Sequence, residues 1–252
     1  MPPNENHNGS ACNDGCVVPT QDGSDPLLEW RGKVAHFRGR VVEHRRVEVA
    51  GMTLQIAAMK DAADLLDDLD YAKRFVENDV APYGVELWPA ALMLAAYIAC
   101  DDDGLERTAI ELGCGLGLVS IVAAKLGWRV VAGDHEPTAL AFAAYNARLN
   151  EAPIAGLMTL DWHDPPTDRR YDCVLGADIL YQLVDHQSIL WCIDRMLAPD
   201  GVALIADPNR GVADRFSKAA RDAGFVVEIH PASASRPCGG GIGGRIFRLY
   251  RP

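Results

Sequence analysis

From residue 108 onward the chain alternates between short apolar runs and longer stretches in which apolar residues recur at helical spacing. The short runs predict buried strands, and the longer stretches predict helices with one apolar face. The predicted strands are 108–112, 129–132, 156–160, 173–177 and 202–206, and the predicted helices are 118–126, 137–149, 185–197 and 212–223. This alternation predicts right-handed βαβ units, which build a parallel sheet with helices on both faces.

The C-terminal end breaks the alternation. Residues 225–230 and 244–250 are two strand-like runs joined by a loop rich in Ser, Pro and Gly, with no room for a helix between them. They predict a hairpin that adds an antiparallel strand to the sheet. The expected fold class is therefore α/β, with a mostly parallel sheet.

The first part of the chain follows other patterns. Residues 1–25 are rich in Asn, Gly, Asp, Ser and Pro, and they predict a disordered tail. Residues 26–80 form an N-terminal elaboration, in which strand-like alternation over 40–59 around Ala50 and Gly51 predicts a hairpin. The main domain is then expected over residues 81–252.

Two helices are expected around the boundary of the main domain. Leu65, Leu66 and Leu69 form an apolar stripe in the acidic segment 61–70, which predicts a short helix with a solvated acidic face. A second helix is expected over 89–99, because it starts with a proline and continues with apolar residues at helical spacing.

Composition and charge narrow the functional classes. The 252 residues are 49% hydrophobic, and 24 basic residues against 35 acidic ones give a net charge of −11. This charge argues against a broad attraction to nucleic acid or anionic lipid, and it leaves a cationic partner open. The longest apolar run, 89–100, is too short to cross a bilayer, and the N-terminus has no signal or transit-peptide character. The cytosol is the expected compartment.

The cysteines and histidines predict neither a disulfide framework nor a metal site. The seven cysteines are an odd number, and four of them lie in apolar segments expected to be core: Cys100, Cys114, Cys173 and Cys192. Cys12 and Cys16 lack the second pair of ligands that a zinc site needs.

The most informative segment is IELGCGLGLVS over residues 110–120, where a predicted strand ends in Gly113, Gly115 and Gly117 and leads into a helix. A turn of this kind lets a ligand approach bare backbone. A dinucleotide-binding turn would place its third glycine at position 118, which is Leu118, and no Gly-Lys-Ser/Thr follows as in a Walker loop. The spacing argues against both of these phosphate-binding sites.

Acidic residues at strand ends indicate what the ligand carries. Glu111 precedes the glycine loop, where a carboxylate repels a pyrophosphate and accepts hydrogen bonds from an ammonium group. Asp134 ends the second strand, where it could accept both hydroxyls of a ribose or only cap the next helix. After the third strand, Trp162 could stack on an adenine and Asp161 could accept from its amino group, whereas a core position for Trp162 is the alternative.

The segment ELGCGLG, the strand-end Asp134 and the segment LDW together resemble class I S-adenosylmethionine-dependent methyltransferases, over about residues 80–252. PYGVELWPAA at 82–91 and ADILY at 177–181 are most similar to the seven-β-strand protein lysine methyltransferases and their bacterial relatives. Related sequences often carry a second aromatic residue in place of Gly84. The resemblance implies a Rossmann-like, seven-stranded, mostly parallel sheet with a C-terminal antiparallel hairpin strand. It also implies an enzyme that converts S-adenosylmethionine to S-adenosylhomocysteine.

The resemblance implies a set of cofactor-binding residues. They are Trp88, Glu111, Gly113, Gly115, Gly117, Asp134, Asp161, Trp162 and Ala177. Glu111 and the glycines would line the methionine end, Asp134 would take the ribose, and Trp162 with Asp161 would hold the adenine. Trp88 would lie against the methionine portion, and Ala177 would help to close the floor near the sulfonium.

The same resemblance implies that Asp178 and Tyr181 face the methyl acceptor, and they are the expected catalytic residues. An ammonium group has no free lone pair. A lysine acceptor, whose side-chain amine has a pKa of about 10.4, therefore has to lose a proton before it can accept a methyl group. We expect Asp178 to take this proton and Tyr181 to orient the nitrogen. At the same sheet edge, Asp207 could contact the acceptor or cap a loop, and Arg210 is expected to pair with a surface acid.

Three functions remain open at this point. The first is a monomeric protein methyltransferase that acts on lysine nitrogen, which the negative charge favours weakly. The second is the same chemistry on a small amine or heterocycle, which an enclosed pocket over Asp178 would favour. The third is a scaffold that keeps the cofactor site without turnover, and failure to bind cofactor would favour it.

Overall fold

The computed structural model describes residues 16–17, 28–31, 34–68, 72–73, 83–101, 104, 106–166, 168–235 and 240–252. These residues form two sheets. The N-terminal sheet follows the two-residue strand β1 (Cys16–Val17) and contains β2 (Glu29–Arg31), β3 (Val34–Phe37), β4 (Arg40–Val49) and β5 (Met52–Met59). The central sheet contains β6 (Thr108–Leu112), β7 (Arg129–Asp134), β8 (Gly156–Thr159), β9 (Tyr171–Ala177), β10 (Leu197–Asp207), β11 (Val226–Ser235) and β12 (Gly241–Tyr250).

The central sheet has the strand order β1-β8-β7-β6-β9-β10-β12-β11. Strands β6 to β10 pair in parallel, whereas β12 runs antiparallel between β10 and β11. This confirms the α/β, Rossmann-like sheet of seven mostly parallel strands with its C-terminal hairpin. β1 adds an antiparallel edge strand beside β8, so two residues of the predicted tail are part of the sheet. The rest of residues 1–25 lies outside the described residues.

Among the helices whose full extent lies in the described residues, five α-helices accompany the central sheet: α1 (Pro89–Cys100), α2 (Leu118–Lys125), α3 (Pro137–Leu149), α4 (His186–Met196) and α5 (Asp214–Asp222). Successive residues of β9 show that the helices cover both faces, because Cys173 and Leu175 pack with α1, α2 and α3, whereas Val174 packs with α4 and α5. No helix in the described residues is long and apolar enough to span a bilayer.

The N-terminal elaboration is larger than predicted. The hairpin expected over 40–59 is present as β4 and β5, with Ala50 and Gly51 at its two-residue turn in left-handed conformations. Two further short strands extend it to a four-stranded antiparallel sheet. The helix predicted over 61–70 is a 3₁₀-helix at Ala62–Asp67, where the Asp61 side chain accepts a hydrogen bond from the backbone N–H of Ala63.

The cysteine expectations hold at three of the four positions expected to be core. Cys114, Cys173 and Cys192 are buried free thiols. Cys100 is exposed instead, because it ends α1 next to the solvent-facing Asp101.

Two asparagines of α3 join the N-terminal sheet to the central domain. The Asn146 side chain accepts a hydrogen bond from Ala57 N at 2.8 Å and donates to Ala57 O at 3.1 Å and Leu116 O at 3.0 Å. One helical turn later, the Asn150 side chain accepts from Gln55 N at 2.8 Å and donates to Gln55 O at 2.7 Å. Alternate residues of a strand point their backbone N–H and C=O groups to the same side. Asn146 and Asn150 are four residues apart and lie on one face of α3, so their side chains reach Ala57 and Gln55 of β5 respectively.

We expect Asn146→Ala to lower the free energy of unfolding by about 2–4 kcal/mol, since it leaves buried backbone groups of β5 and the glycine loop without partners. Asn150→Ala is the matched control and should cost about 1 kcal/mol or less, because its strand partners reach water. Urea unfolding followed by circular dichroism measures both values. Equal losses in the two variants would contradict this account of the domain junction.

Candidate functional site

A cavity of about 730 Å³ opens at the carboxyl ends of the parallel strands, which is where ligands of open α/β sheets bind. The segment before α1 covers one side of it. The residues that line the cavity include all but one of the predicted site residues: Trp88, Glu111, Gly113, Gly115, Asp134, Asp161, Trp162, Ala177, Asp178 and Tyr181. Gly117 is the exception.

Glu111 fixes the start of the helix that follows the glycine loop. Its carboxylate is buried and accepts hydrogen bonds from the backbone N–H of Ser120 at 2.9 Å and from the Ser120 hydroxyl at 2.5 Å. An acidic group at a helix N-terminus is favoured by the unpaired N–H groups and by the helix dipole. The loop is therefore held at both ends, by β6 and by the first turn of α2.

Burial raises the pKa of Glu111 to about 8, although the two hydrogen bonds from Ser120 act in the opposite direction. A cationic group in the cavity would favour the charged carboxylate and reverse part of this shift. Glu111 therefore fits an ammonium-bearing ligand, as the sequence predicted.

Asp134 ties the end of β7 to the glycine loop. One of its oxygens accepts from Gly115 N and the other from Glu136 N, both at 2.9 Å. Burial raises the pKa of Asp134, and these backbone hydrogen bonds oppose the rise. Asp134 thus bonds to the backbone just before α3, and it also lines the cavity, where its remaining lone pairs are free to accept hydrogen bonds from hydroxyl groups.

The glycines of the loop serve different needs. Gly115 has a φ of 50°, and a Cβ there would lie 3.3 Å from the Gly84 carbonyl oxygen. Gly117 has a φ of 79°, caps α2, and would bring a Cβ within 2.9 Å of the Ala143 Cβ. Close packing of α2 against α3 therefore explains the glycine at 117, which does not line the cavity, and its predicted contact with the cofactor stays a prediction.

Close packing also explains the glycine at position 84. A Cβ at this position would lie 2.9 Å from the Ala139 Cβ. The second aromatic residue that related sequences often carry does not fit here, because α3 approaches the segment before α1 too closely.

The loop after β8 contributes Asp161 and Trp162 to the cavity wall. Trp162 is 8% exposed and still lines the cavity, so its buried position is compatible with a ligand contact. Asp161 accepts from His163 N at 2.8 Å, and the His163 ring lies between Asp161 and Asp185, at 2.9 Å and 3.4 Å. Partial burial acts to raise the pKa of Asp161, but the hydrogen bonds and charge of His163 outweigh it and lower the pKa.

Three aromatic rings meet in another part of the cavity wall. The ring of Tyr83 packs edge to face against Trp88 at 5.9 Å and against Tyr181 at 6.0 Å. The Trp88 indole N–H donates to the Tyr83 carbonyl at 2.8 Å, which fixes the ring. Burial, with a smaller contribution from nearby Asp185, raises the pKa of Tyr181 to about 12, so its phenol stays protonated at neutral pH.

Asp178 is held by an arginine that the sequence did not place in the site. Arg210 donates from Nε to one Asp178 oxygen at 2.6 Å and from Nη2 to the other at 2.9 Å, and its guanidinium lies 5.9 Å from the Trp88 ring centre. Asp178 has a φ of 60°, a rare conformation for a residue with a side chain. The partner of Arg210 is thus a buried acid inside the cavity and not a surface acid.

This pairing argues against the predicted role of Asp178 as proton acceptor. A proton on Asp178 would break a bidentate, charge-assisted pair, which is among the stronger polar contacts in proteins. Because the pair as a whole is neutral, it also gives little stabilisation to an ammonium group nearby, whereas a lone carboxylate would give much. Asp178 and Arg210 therefore act as one positioning unit.

Asp207 supports this unit from behind. It is fully buried, accepts from Arg210 N at 2.9 Å and pairs with Arg245 at 3.2 Å. Arg245 also donates to the Arg210 carbonyl at 3.1 Å. Asp207 is therefore a loop cap, the second of its two predicted alternatives, and it does not line the cavity.

We expect Glu111→Gln to weaken S-adenosylhomocysteine binding about 10- to 100-fold, the loss of one hydrogen bond to a charged group. The free variant should nevertheless gain stability relative to the native protein as pH rises. The pKa of Glu111 is about 8 in the folded protein, against an ordinary value of 4.5. Ionisation of Glu111 therefore lowers the stability of the native protein progressively between pH 4.5 and about pH 8, and the loss is complete above that range.

Calorimetric titration and thermal melts at pH 5 and pH 8.5 test both effects. The exposed Glu151→Gln is the control and should change neither. Unchanged affinity in Glu111→Gln would contradict the assignment of the ammonium site.

Known structures with this fold include methyltransferases. The magnesium protoporphyrin IX methyltransferase of Synechocystis PCC 6803 with bound SAM aligns with a TM-score of 0.53 and 18% identity, covering 75% of this chain and 94% of that chain. A putative RNA methyltransferase from Pyrococcus horikoshii aligns with a TM-score of 0.52 and 19% identity, covering 64% and 83%. At these identities the likeness shows the fold alone.

Sequence relatives are more specific. Protein N-lysine methyltransferase METTL21A of Danio rerio is 33% identical over 153 residues, which cover 57% of this chain and 70% of the relative. Histone-arginine methyltransferase METTL23 of Mus musculus is 31% identical over 115 residues, covering 43% and 46%. The match to METTL23 thus spans about half of that relative's length.

A family model described as lysine methyltransferase matches residues 69–222, more than half of the chain. The matched range includes the glycine loop, the strand-end acids and the Asp178–Arg210 pair. Together with the methyltransferase fold, this match shows that the chain belongs to the lysine methyltransferase family and is an S-adenosylmethionine-dependent methyltransferase.

Proposed function

We propose that the enzyme transfers the methyl group of S-adenosylmethionine to the side-chain nitrogen of a lysine in a protein substrate. The observation that carries this proposal is the acceptor end of the cavity. There the rings of Tyr83, Trp88 and Tyr181 lie beside an ion pair that is neutral as a whole. A lysine side chain matches this surface, because it is a long apolar stem that ends in an amine.

The residues of the cavity fit the cofactor that the family uses. When bound, S-adenosylmethionine supplies a methyl group already activated by a positively charged sulfur. We propose that Glu111 holds its ammonium group, that Gly113 and Gly115 approach its methionine portion, and that Asp134 holds its ribose. Asp161 and Trp162 would hold the adenine, Trp88 would lie against the methionine portion, and Ala177 would lie near the sulfur.

The protein's own chemical task is then to present a neutral amine in line with that methyl group. Burial in the cavity disfavours the charged ammonium form, and the Asp178–Arg210 pair, neutral as a whole, does little to offset this, so the acceptor loses its proton to solvent as it enters. The oxygen of Tyr181, protonated at neutral pH, can accept an N–H hydrogen bond and so orient the nitrogen lone pair. Rings around the acceptor also exclude water.

The names of the relatives support a protein acceptor. METTL21A is named as a protein N-lysine methyltransferase and METTL23 as a histone-arginine methyltransferase. We propose lysine as the acceptor and not arginine, because the Asp178 carboxylate, which could bind the guanidinium of an arginine substrate, is already paired with Arg210. A small amine remains the second candidate, and the experiment below separates the two.

Incubation with methyl-labelled S-adenosylmethionine and a desalted lysate of the organism that encodes the protein should label a protein band that survives nuclease. Mass spectrometry should place the label on lysine. Tyr181→Phe should reduce labelling about tenfold or more, since it removes one orienting hydrogen bond of roughly 1.5 kcal/mol. Tyr97→Phe, a tyrosine bonded to His230 away from the cavity, should not.

Label in the small-molecule fraction alone would replace the protein acceptor with a small amine. Label on arginine would replace the lysine assignment.

The Asp178–Arg210 unit is tested by a double-mutant cycle on the labelled protein. Asp178→Asn and Arg210→Gln should each reduce turnover about 10- to 100-fold, and the double variant should be little worse than either, because each loss already breaks the pair. If Asp178 were the proton acceptor, Arg210→Gln would free its carboxylate and keep or raise activity. That result would restore the role predicted from sequence.

A further inference from the structure

Exposed apolar side chains accompany the cavity wall. Among the described residues, seven large hydrophobic side chains are exposed, and three of these line the cavity or lie next to its lining residues in the chain: Tyr83 at 52% is part of the lining, and Leu183 at 43% and Val184 at 79% lie between the lining residues Gln182 and Asp185. We call these three residues the mouth patch. Val184 is the most exposed of the seven. Concentration of exposed apolar surface beside a functional opening is typical of a binding surface.

The mouth patch is held in a defined place. Leu183 and Val184 form a 3₁₀-turn with Asp185, directly after the cavity-lining Tyr181 and Gln182. The Asp185 carboxylate lies 3.4 Å from the His163 ring, and the Tyr181 ring packs against Tyr83. Both ends of the patch are therefore attached to the rim of the cavity and not to a separate surface.

Negative charge surrounds the same opening. The carboxylates of Glu86, two residues before Trp88, and of Asp185, in the same 3₁₀-turn as Leu183 and Val184, line the cavity, and its one lining arginine is already paired with Asp178 within the described residues. The net charge of the chain is also −11. A basic partner is therefore attracted to the opening, and an acidic one is repelled.

We propose that the mouth patch is the docking surface for the segment that flanks the acceptor lysine in a protein substrate, and that this segment is basic and carries an apolar residue next to the lysine. The inference rests on the proposed function and extends it to the chemistry of the partner. A lysine that enters the cavity leaves its main chain and neighbouring side chains outside, against Leu183 and Val184. A small amine would lie inside the cavity and leave these side chains exposed.

The test uses the labelled substrate protein, purified, with the full-length enzyme. Leu183→Ser/Val184→Ser should raise KM about five- to tenfold with kcat kept, because the burial of two aliphatic side chains is lost. Affinity for S-adenosylhomocysteine and the melting temperature should stay unchanged. Ile229→Ser is the matched control, since Ile229 is 47% exposed on β11 and does not line the cavity.

A pair of charged variants tests the predicted basic character of the partner. Val184→Lys should raise KM more than Val184→Glu, because the lysine repels a basic segment and the glutamate attracts it. Equal KM values in the double serine variant and the native enzyme would overturn the docking inference while the proposed function stands. A dimer in size-exclusion chromatography that the double variant abolishes would overturn it too, because the patch would then contact a second copy. Absence of any labelled protein would overturn both proposals.

Discussion

The hydrogen bonds between Glu111 and Ser120 are the contact on which the site depends. They place a buried carboxylate at the end of β6 and hold the first turn of α2 against it, so the glycine loop between them has one available path. Asp134 then attaches the next strand to that loop. Two acids that cost stability when buried are kept because they accept hydrogen bonds from backbone N–H groups and the Ser120 hydroxyl, and their remaining lone pairs suit a ligand with both a cation and hydroxyl groups.

Much of the fold follows from local pattern. Strand 108–112 and helix 137–149 have the bounds predicted from apolar spacing, because each is bounded by residues that begin or end an element, such as Pro137. The two short strands before Arg40 escaped prediction, since only the pairing of β3 with β4 and of β2 with β3 makes such brief segments extended. The 61–70 segment likewise forms a 3₁₀-helix in place of the expected α-helix, and its last two residues are outside the described ranges.

Site residues were predictable from sequence where their position at the end of a parallel strand places them at the carboxyl edge of the sheet. Glu111 and Asp134 lie in the last two residues of their strands, Asp161 and Asp178 follow theirs closely, and parallel strands bring those ends together. Arg210 and Tyr83 were missed, because their roles depend on contacts across long stretches of sequence: Arg210 is 32 positions from Asp178. No local signal distinguishes an arginine that pairs with a buried acid from one that faces solvent. Side-chain pairing between distant loops is the part of the site that only coordinates supply.

The asparagines of α3 also determine what the N-terminal sheet can do with other chains. β5 is an edge strand, and an edge normally offers free N–H and C=O groups as a template for another strand. Here the outward-facing N–H and C=O groups of Gln55 and Ala57 form hydrogen bonds with the side-chain amides of Asn150 and Asn146. This edge is therefore closed to strand addition at Gln55 and Ala57, and it resists edge-to-edge aggregation without a charged residue or proline at those positions.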